Sequence, residues 1–299
     1  MAITSNLDVK FIAQKALAAL RTRLPALSAF SVDFGAKVQK QGVSVTVPLI
    51  GNKTAGDFSG NYTTDASNNV SSVECLLDQS TDSVTGLTDI EYADTGYQIL
   101  VDYATEDMAA VSKVIIDYAL GKVTVASYQR EHVIAAASFS VAEVIKLKTE
   151  AARLGFTVGT ILLNSDAYSA FLQDYSGKVT FVPGQDPSTT QFMGFKVMHY
   201  ASMPTAEALI GICCNPVGLA IASRPVGVLP GAGAGTTQAV VTDPESGISL
   251  GMRSYYSNDT GRQIQAVHQV HGAVVGKTDG LIRIVSADQN ESSSSTSVS

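Results

Sequence analysis

Residues Val101–Leu120 read VDYATEDMAAVSKVIIDYAL, and we interpret the rest of the chain as organised around this stretch. Its apolar residues recur at spacings of three and four, which places them on one face of a helix. They are Val101, Ala104, Met108, Val111, Ile115 and Tyr118. Asp102 or Thr105 is the expected N-cap. Glu106 and Asp107 would then lie in the first turn, where carboxylates suit the helix dipole.

The same helix is predicted to continue beyond this stretch. Gly121 weakens a helix by about 1 kcal/mol relative to alanine, and the β-branched residues of Val123–Val125 oppose it further. The composition of Tyr128–Ala137 nevertheless favours a helix again. We therefore predict one long helix with a bend near Gly121, flanked on both sides by strand-like sequence. An ordinary core helix is the alternative interpretation of this segment taken alone.

Composition restricts the class of protein. The chain has 299 residues, of which 45% are apolar and 16% charged, and its formal net charge is −7. The length suggests two domains, and the apolar content suffices for a substantial core. A nucleic-acid-binding surface would need clustered lysine and arginine, so the acidic balance argues against one. Because no apolar run is long enough for a membrane span and no signal-peptide pattern is present, we expect a soluble, non-secreted chain.

The first elements of the chain are a helix and a pair of strands. Ser5–Leu24 has helical periodicity, and we expect it either to be an arm resting on another body or to pack on its own domain. Val43–Leu49 and Val70–Leu77 read as strands. The polar sequence between them has only Phe58 and Tyr62 as large apolar groups. Since an isolated hairpin is only marginally stable, we predict that it lies on a neighbouring surface; a disordered loop is the alternative.

Later elements follow from the same patterns. Helices are predicted over Val141–Leu154 and, capped by Ser165 or Asp166, up to Leu172. Strands are predicted over Thr157–Leu163, Phe195–Tyr200, Ala208–Cys213, Ala239–Thr242, Ile248–Tyr256, Gln263–Val275 and Leu281–Val285. Val217–Ala222 is either a strand or a brief helix.

The sequence signals for a catalytic, phosphate-binding or metal site are weak. His268 and His271 lie three residues apart on a predicted strand, so they face opposite sides and cannot share a metal. The glycines of Gly231–Gly235 lack the Gly-Lys-Ser/Thr ending of a phosphate-binding loop. Cys75 and the adjacent Cys213–Cys214 form neither a disulfide framework nor a metal motif, and we expect buried thiols. We therefore predict no enzyme activity, no cofactor and no metal site.

Four segments occur in an order that one known family shares. They are Gly159–Gly177 (GTILLNSDAYSAFLQDYSG), Met193–Pro204 (MGFKVMHYASMP), Gly218–Val226 (GLAIASRPV) and Asp243–Ser286. In this order they resemble the major capsid proteins of tailed bacteriophages. VTVPL, the polar excursion and VSSVECLLDQ are similar to the strand and extended loop that precede the long helix there. The resemblance covers about Val43–Ser286, and the order of the motifs carries it.

The resemblance implies the Hong Kong 97 capsid fold, an α+β fold with an N-terminal arm, an extended loop, a peripheral domain with a long spine helix, and an axial domain. The spine helix would be Asp102–Ala136. The implied divisions are the N-terminal arm 1–42, the extended-loop hairpin 43–77, the peripheral domain with the spine helix 78–138, the axial domain 139–237, the peripheral return strands 238–266, the axial closing strands 267–287 and a disordered tail 288–299.

The resemblance also implies a function. The chain would self-assemble, as hexamers and pentamers, into the icosahedral shell around the double-stranded DNA genome of a tailed bacteriophage. It would meet a portal, touch packaged DNA only by weak non-specific contacts, and have no membrane partner. Its location would be the virion capsid, assembled in the host cytoplasm. Because the pattern starts almost at Met1, a separate scaffolding protein is expected. The expected assembly-interface residues are Asp57, Phe58, Tyr62 and Asp65.

Three alternatives accompany this interpretation. Some relatives join subunits by a lysine–asparagine isopeptide bond, for which Lys53 and Asn258 are conceivable partners; most relatives lack this chemistry, so no catalytic residue is assigned. The same fold forms encapsulins, the shells of bacterial compartments, which are the first functional alternative. A soluble α+β enzyme or binding domain is the second.

Overall fold

The computed structural model describes residues 4–30, 44–50, 70–91, 97–156, 159–176, 189–192, 194–227, 236–243 and 246–287. Its elements include four long α-helices, four short 3-10 helices and thirteen β-strands. The helices are α1 (Thr4–Arg23), α2 (Tyr97–Leu120), α3 (Val141–Arg153) and α4 (Ser165–Ser176). The strands are β1 (Ser44–Ile50), β2 (Val70–Leu76), β3 (Gln79–Thr88), β4 (Glu131–Val133), β5 (Gly159–Leu163), β6 (Thr189–Phe192), β7 (Phe195–His199), β8 (Leu209–Cys214), β9 (Leu219–Pro225), β10 (Thr237–Thr242), β11 (Ser249–Ser257), β12 (Arg262–Val275) and β13 (Leu281–Val285). None of the described helices has the length and apolarity to cross a membrane.

The long helix α2 exists, and its predicted apolar face is confirmed. Val101, Ala104, Met108, Val111 and Ile115 are buried, and Tyr118 is half-buried. The predicted start was wrong, because α2 begins at Tyr97 and Asp102 lies inside the helix. Thr105 is not a cap either, since its hydroxyl donates to the carbonyl of Val101 at 2.8 Å. Glu106 and Asp107 consequently lie in the middle of the helix and not in its first turn.

The predicted extension of the spine helix to Ala136 was also wrong. The helix ends at Leu120, and turns follow through Ser127. Glu131–Val133 forms β4, which pairs in parallel with β13. Gly121 and the β-branched residues after it oppose a helix. Glu131–Val133 is a strand because it pairs with a strand some 150 residues away, and local composition does not reveal that pairing.

One sheet carries the spine helix. Its strand order is β10-β11-β12-β3, with β9 beside the C-terminal half of β12. All of these pairs are antiparallel. Alternate residues of β12, including Val267, Gln269 and His271, are buried on the side of α2. The alternative left open for Val217–Ala222 is thus decided in favour of a strand.

The first helix, α1, packs on α2 and β10 of its own chain. Its buried residues are Val9, Ile12, Ala13, Ala16, Leu17 and Leu20. Phe11 of the same helix is 48% exposed although it is a large apolar residue, so helical periodicity alone does not identify the buried face completely. Of the two alternatives for this helix, packing on the same chain is the one observed.

A second sheet has the strand order β4-β13-β8-β5-β7-β6 and mixes parallel and antiparallel pairs. Helices α3 and α4 cover one face, and its other face joins the core around α1 and α2. Cys213 and Cys214 illustrate this alternation, because the first lies in the core under α3 and α4 and the second in the core shared with α2.

Helix α4 differs from its prediction at both ends. Asn164, and not Ser165 or Asp166, is the cap, since its Oδ1 accepts from the backbone N–H of Ala167 at 2.9 Å. The helix also continues past Leu172 to Ser176. Phe171 and Tyr175 stack at 5.5 Å between ring centroids, which stabilises this extra turn against the sheet.

Candidate assembly surfaces

Strands β1 and β2 form an antiparallel hairpin, as predicted, in the register Val45↔Cys75 and Val47↔Val73. One face of this hairpin is apolar and docks on the five-stranded sheet. The docked residues are Val45, Val47, Cys75 and Leu77, packed against Ala220 and Ala222 of β9 and Val270 and Val274 of β12. The opposite face, with Thr46, Glu74 and Leu76, is exposed. The hairpin base is therefore anchored on its own subunit, and its outward face is open.

The hairpin approaches the sheet so closely that one position admits only glycine. A Cβ added at Gly272 of β12 would lie 1.8 Å from the carbonyl oxygen of Leu76 and 2.8 Å from its carbon. Both are backbone atoms, which cannot rotate away as a side chain does. Gly272 thus sets the distance between the hairpin and the sheet.

A polar group ties the hairpin to the end of the spine helix. The hydroxyl of Tyr118 on α2 donates to the carboxylate of Asp78, at 3.0 and 3.2 Å from its two oxygens. Asp78 directly follows Leu77, the last docked residue of the hairpin. This hydrogen bond is the largest cause that lowers the pKa of Asp78. The Nζ of Lys122 lies 4.6 Å from the centroid of the Tyr118 ring, and the buried His271 packs edge-on at 5.6 Å.

The residues predicted for the assembly interface, Asp57, Phe58, Tyr62 and Asp65, lie outside the described residues. Lys53, one of the two conceivable cross-linking residues, also lies outside them. Asn258 is exposed in the turn between β11 and β12. The structure describes the two strands on either side of residues 51–69, with Ile50 paired to Val70.

Part of the five-stranded sheet's outer face is open to solvent. The hairpin covers the end formed by β9 and the last residues of β12. Away from it, Val84 of β3 is 56% exposed and Val240 of β10 is 47% exposed. His268 lies on this outer face, where its Nε2 is 3.0 Å from the hydroxyl of Ser80, whereas His271 is buried on the inner face. The prediction that the two histidines face opposite sides is confirmed.

A cleft of about 480 Å³ lies along α4. It is lined by Ser165, Tyr168, Ser169, Leu172, Gln173, Ser176 and His199. The hydroxyl of Ser165 lies 3.0 Å from Nε2 of His199, a distance at which a histidine could act as base. Within the described chain, however, no carboxylate hydrogen-bonds the other ring nitrogen to orient it. No local motif indicates this pair, since the two residues are 34 positions apart in the chain.

Two buried charged groups also escaped sequence reasoning. Asp107 of α2 accepts hydrogen bonds from Ser83 at 2.7 Å and Thr85 at 3.0 Å, and burial raises the pKa of its carboxyl group. Arg283 of β13 is 1% exposed, and its guanidinium lies 3.5 Å from Glu207. A charged residue inside an apolar run such as Leu281–Val285 is the signal that could have identified Arg283 as a buried ion pair.

Glu207 lies just before β8, so this ion pair with Arg283 of β13 is made within the six-stranded sheet. Its carboxylate also accepts from the backbone N–H of Val125, just beyond the spine helix, at 2.7 Å. Its φ of 57° lies in the left-handed region, which is strained for a residue other than glycine. The ion pair and the hydrogen bond hold it there, so these contacts are structural. Among the described residues, no group of three or more His, Cys, Asp and Glu side chains is placed to hold a metal ion.

No protein-family model matches the sequence, and no curated protein sequence matches it. Solved structures do match. The capsid of a native GTA particle has 15% identity and a TM-score of 0.52, over 89% of this chain and 90% of that one. The capsid of an empty GTA particle has 14% identity and a TM-score of 0.51, over 88% and 89%. A protein of Mycobacterium phage Che8 has 13% identity and a TM-score of 0.49, over 86% and 89%.

At these identities the likeness shows the fold. The chain is similar to the two GTA capsid subunits over nearly the full length of both partners. It therefore has the fold of these capsid proteins, the Hong Kong 97 fold. The predicted α+β class with a long spine helix and a hairpin is confirmed.

Proposed function

We propose that this chain is a major capsid protein, which assembles with copies of itself into the icosahedral shell around the double-stranded DNA genome of a tailed bacteriophage. One observation carries the proposal. In a chain with a capsid fold, an apolar face holds the base of a hairpin on the body, and the paired Ile50 and Val70 lead into 19 further residues, 51–69. A segment of this size without an apolar core gains order by contact with another surface.

The proposed interface uses this hairpin in every copy. Asp57, Phe58, Tyr62 and Asp65 are the residues that we expect at the contact with a neighbouring subunit. Closed shells repeat a small set of interfaces, so each copy both extends one hairpin and receives another. A stable contact between proteins buries on the order of 1,600 Å², and a projecting hairpin supplies such area without a further domain.

The proposed domains are divisions of the chain that do not coincide with the two sheets. The N-terminal arm is 1–42, the hairpin 43–77, the peripheral domain 78–138 with 238–266, the axial domain 139–237 with 267–287, and the tail 288–299. Strand β4 of the peripheral domain pairs with β13 of the axial domain. Strand β12 runs from Arg262 in the peripheral domain to Val275 in the axial domain, so it also joins the two.

The proposed partners are copies of the same chain, as hexamers and pentamers, with a separate scaffolding protein and a portal. The net charge of −7 supports only weak, non-specific contact with packaged DNA, because a basic lining would hold DNA by releasing its counterions. The proposed location is the virion capsid, after assembly in the host cytoplasm. The role is structural and not catalytic.

Deleting Asp57–Asp65 tests the proposal. The shortened chain should fold, since the docked residues such as Val45 and Leu77 remain, but it should assemble poorly. Circular dichroism reports folding, and sedimentation velocity reports assembly. A variant with the same nine residues in scrambled order keeps the length and composition and serves as a control for loop length. Closed particles from the deletion variant, or a collapsed circular dichroism spectrum, would contradict the proposal.

A further inference from the structure

The joint between the hairpin, the spine helix and the five-stranded sheet holds a buried histidine. His271 is 1% exposed, and its Nδ1 has no hydrogen-bond partner among the described residues. A neutral imidazole tolerates such a site, whereas an imidazolium needs an acceptor at both nitrogens or contact with water. The site therefore discriminates between the two protonation states of His271.

Every element packed against His271 contributes a neighbour. Gln79 of β3 and Ser223 of β9 lie opposite His271 in the strand register, and the buried hydroxyl of Ser223 has no hydrogen-bond partner among the described residues. The other groups at this joint are Tyr118 and Lys122 at the end of α2, Asp78 after the hairpin, and Cys75 within it. Among these named neighbours of His271, Asp78 is an acidic group and Lys122 is a cationic one. Burial lowers the pKa of His271 and outweighs the attraction of Asp78.

The cover over His271 also holds the hairpin. Tyr118 packs on the His271 ring and donates to Asp78, and Asp78 follows directly on the docked Leu77. The Tyr118 ring already carries Lys122 on its face. A proton on His271 would place a second cation beside that ring, at a position that is 1% exposed. Opening of the contact between Tyr118 and Asp78 would expose the His271 ring to water and loosen the hairpin at the adjacent Leu77.

We propose that His271 is an acid-sensitive latch, in which uptake of one proton by its imidazole releases the base of the hairpin from the sheet and the spine helix. The rest of the subunit stays folded, because its two larger cores do not depend on this contact. The latch goes beyond the proposed capsid role and does not depend on it, since it operates within one chain.

The sign of the effect follows from linkage. The docked hairpin binds the proton less readily than the open one, so docking is fully stable above the ordinary histidine pKa of about 6.5 and weakens as the pH falls below it. One proton changes the opening equilibrium by at most about tenfold per pH unit. Opening should therefore increase between one and ten times for each unit of acidification.

Cys75 reports this opening. It lies on the docked face of the hairpin with 0% exposure, while Cys213 and Cys214 are buried in the other two cores. We would expose the unassembled full-length chain to dithiodipyridine from about pH 8 to about pH 5, where this reagent still reacts with thiols. Rates would be divided by those of the urea-unfolded chain at the same pH, and mass spectrometry would locate the label. Acidification should accelerate labelling at Cys75 alone.

Two variants separate the latch from general acid sensitivity. His271→Phe keeps an aromatic ring against Tyr118 but cannot take up a proton, so Cys75 should stay protected at every pH. His271→Gln, which also does not titrate, repeats the test if the first variant does not fold. His268→Gln lies three residues away on the open face and should retain the wild-type response.

Three results would overturn the latch. They are labelling of Cys75 that does not change with pH, a pH response that survives in His271→Phe or His271→Gln, and acid labelling of Cys75 together with Cys213 and Cys214, which would indicate global unfolding. The assay follows single chains. Its failure would leave the capsid proposal intact, and a failure of shell assembly would leave the latch intact.

Discussion

Replacing Gly272 by alanine tests whether close backbone contact docks the hairpin. The added methyl carbon would lie 1.8 Å from the carbonyl oxygen of Leu76, whereas an ordinary contact begins at 3.4 Å. The hairpin would have to withdraw by the difference of these two distances, about 1.6 Å. The clash involves two backbones inside paired strands, so no rotamer change relieves it.

The expected cost follows from the contacts that such a shift loses. A gap of about 0.5–1 Å already forfeits a quarter to a half of a dispersion contact. Overpacking a core by one methyl group typically costs about 1–3 kcal/mol. Because the clash is with backbone and Val45, Val47 and Leu77 all withdraw together, we expect the upper end, about 3 kcal/mol. That corresponds to a rise of roughly a hundredfold in the equilibrium for opening the hairpin.

Hydrogen exchange of the β2 amides at about neutral pH would measure this opening. Gly227→Ala is the matched control, because a Cβ at Gly227 meets nothing within 4 Å. There the substitution should be neutral or slightly stabilising, since alanine restricts the unfolded chain. If Gly272→Ala exchanged as slowly as the wild type, the argument that backbone contact sets the hairpin's position would be refuted.

Three further substitutions test the spine helix. Ile115→Asp places an unpaired charge at a site with 0% exposure and should cost several kcal/mol of stability, whereas Lys113→Gln, on the exposed side, should change the melting temperature little. Similar thermal melts for these two variants would show that the helical phase is wrong. Asp107→Asn keeps an acceptor for Ser83 and Thr85 but removes the buried charge. Burial raises the pKa of Asp107, so its ionisation weakens the fold as the pH rises above the ordinary aspartate value. The variant should therefore be more stable than the wild type near neutral pH, with a difference in stability that shrinks near pH 4. Urea unfolding at several pH values would measure this difference, and a difference that stayed constant with pH would contradict the prediction.

Local sequence patterns predicted most elements because their information is short-range. Leu281–Val285 was predicted with the observed bounds, and the hairpin strands agree within one or two residues. Apolar periodicity identified the buried face of α2 without any knowledge of its partner. The failure after Leu120 has the opposite cause, since Glu131–Val133 becomes a strand only by pairing with β13.

The candidate site was predictable in its strands and not in its contacts. Alternation within β12 placed His268 and His271 on opposite faces, which is a local property. Nothing in the sequence indicates that Tyr118 reaches Asp78, 40 residues earlier, because that contact depends on how α2 crosses the sheet. The close approach at Gly272 was equally hidden, since a lone glycine in a strand has several possible causes.

Electron microscopy of the purified full-length chain, with and without a co-expressed scaffolding protein, tests the central claim most directly. The claim is that many copies of this one chain close a shell by repeating the hairpin contact. It predicts closed particles tens of nanometres across, which disappear when Asp57–Asp65 is deleted although the chain remains folded. A wild-type chain that stayed monomeric at high concentration, even beside its scaffolding partner, would contradict it.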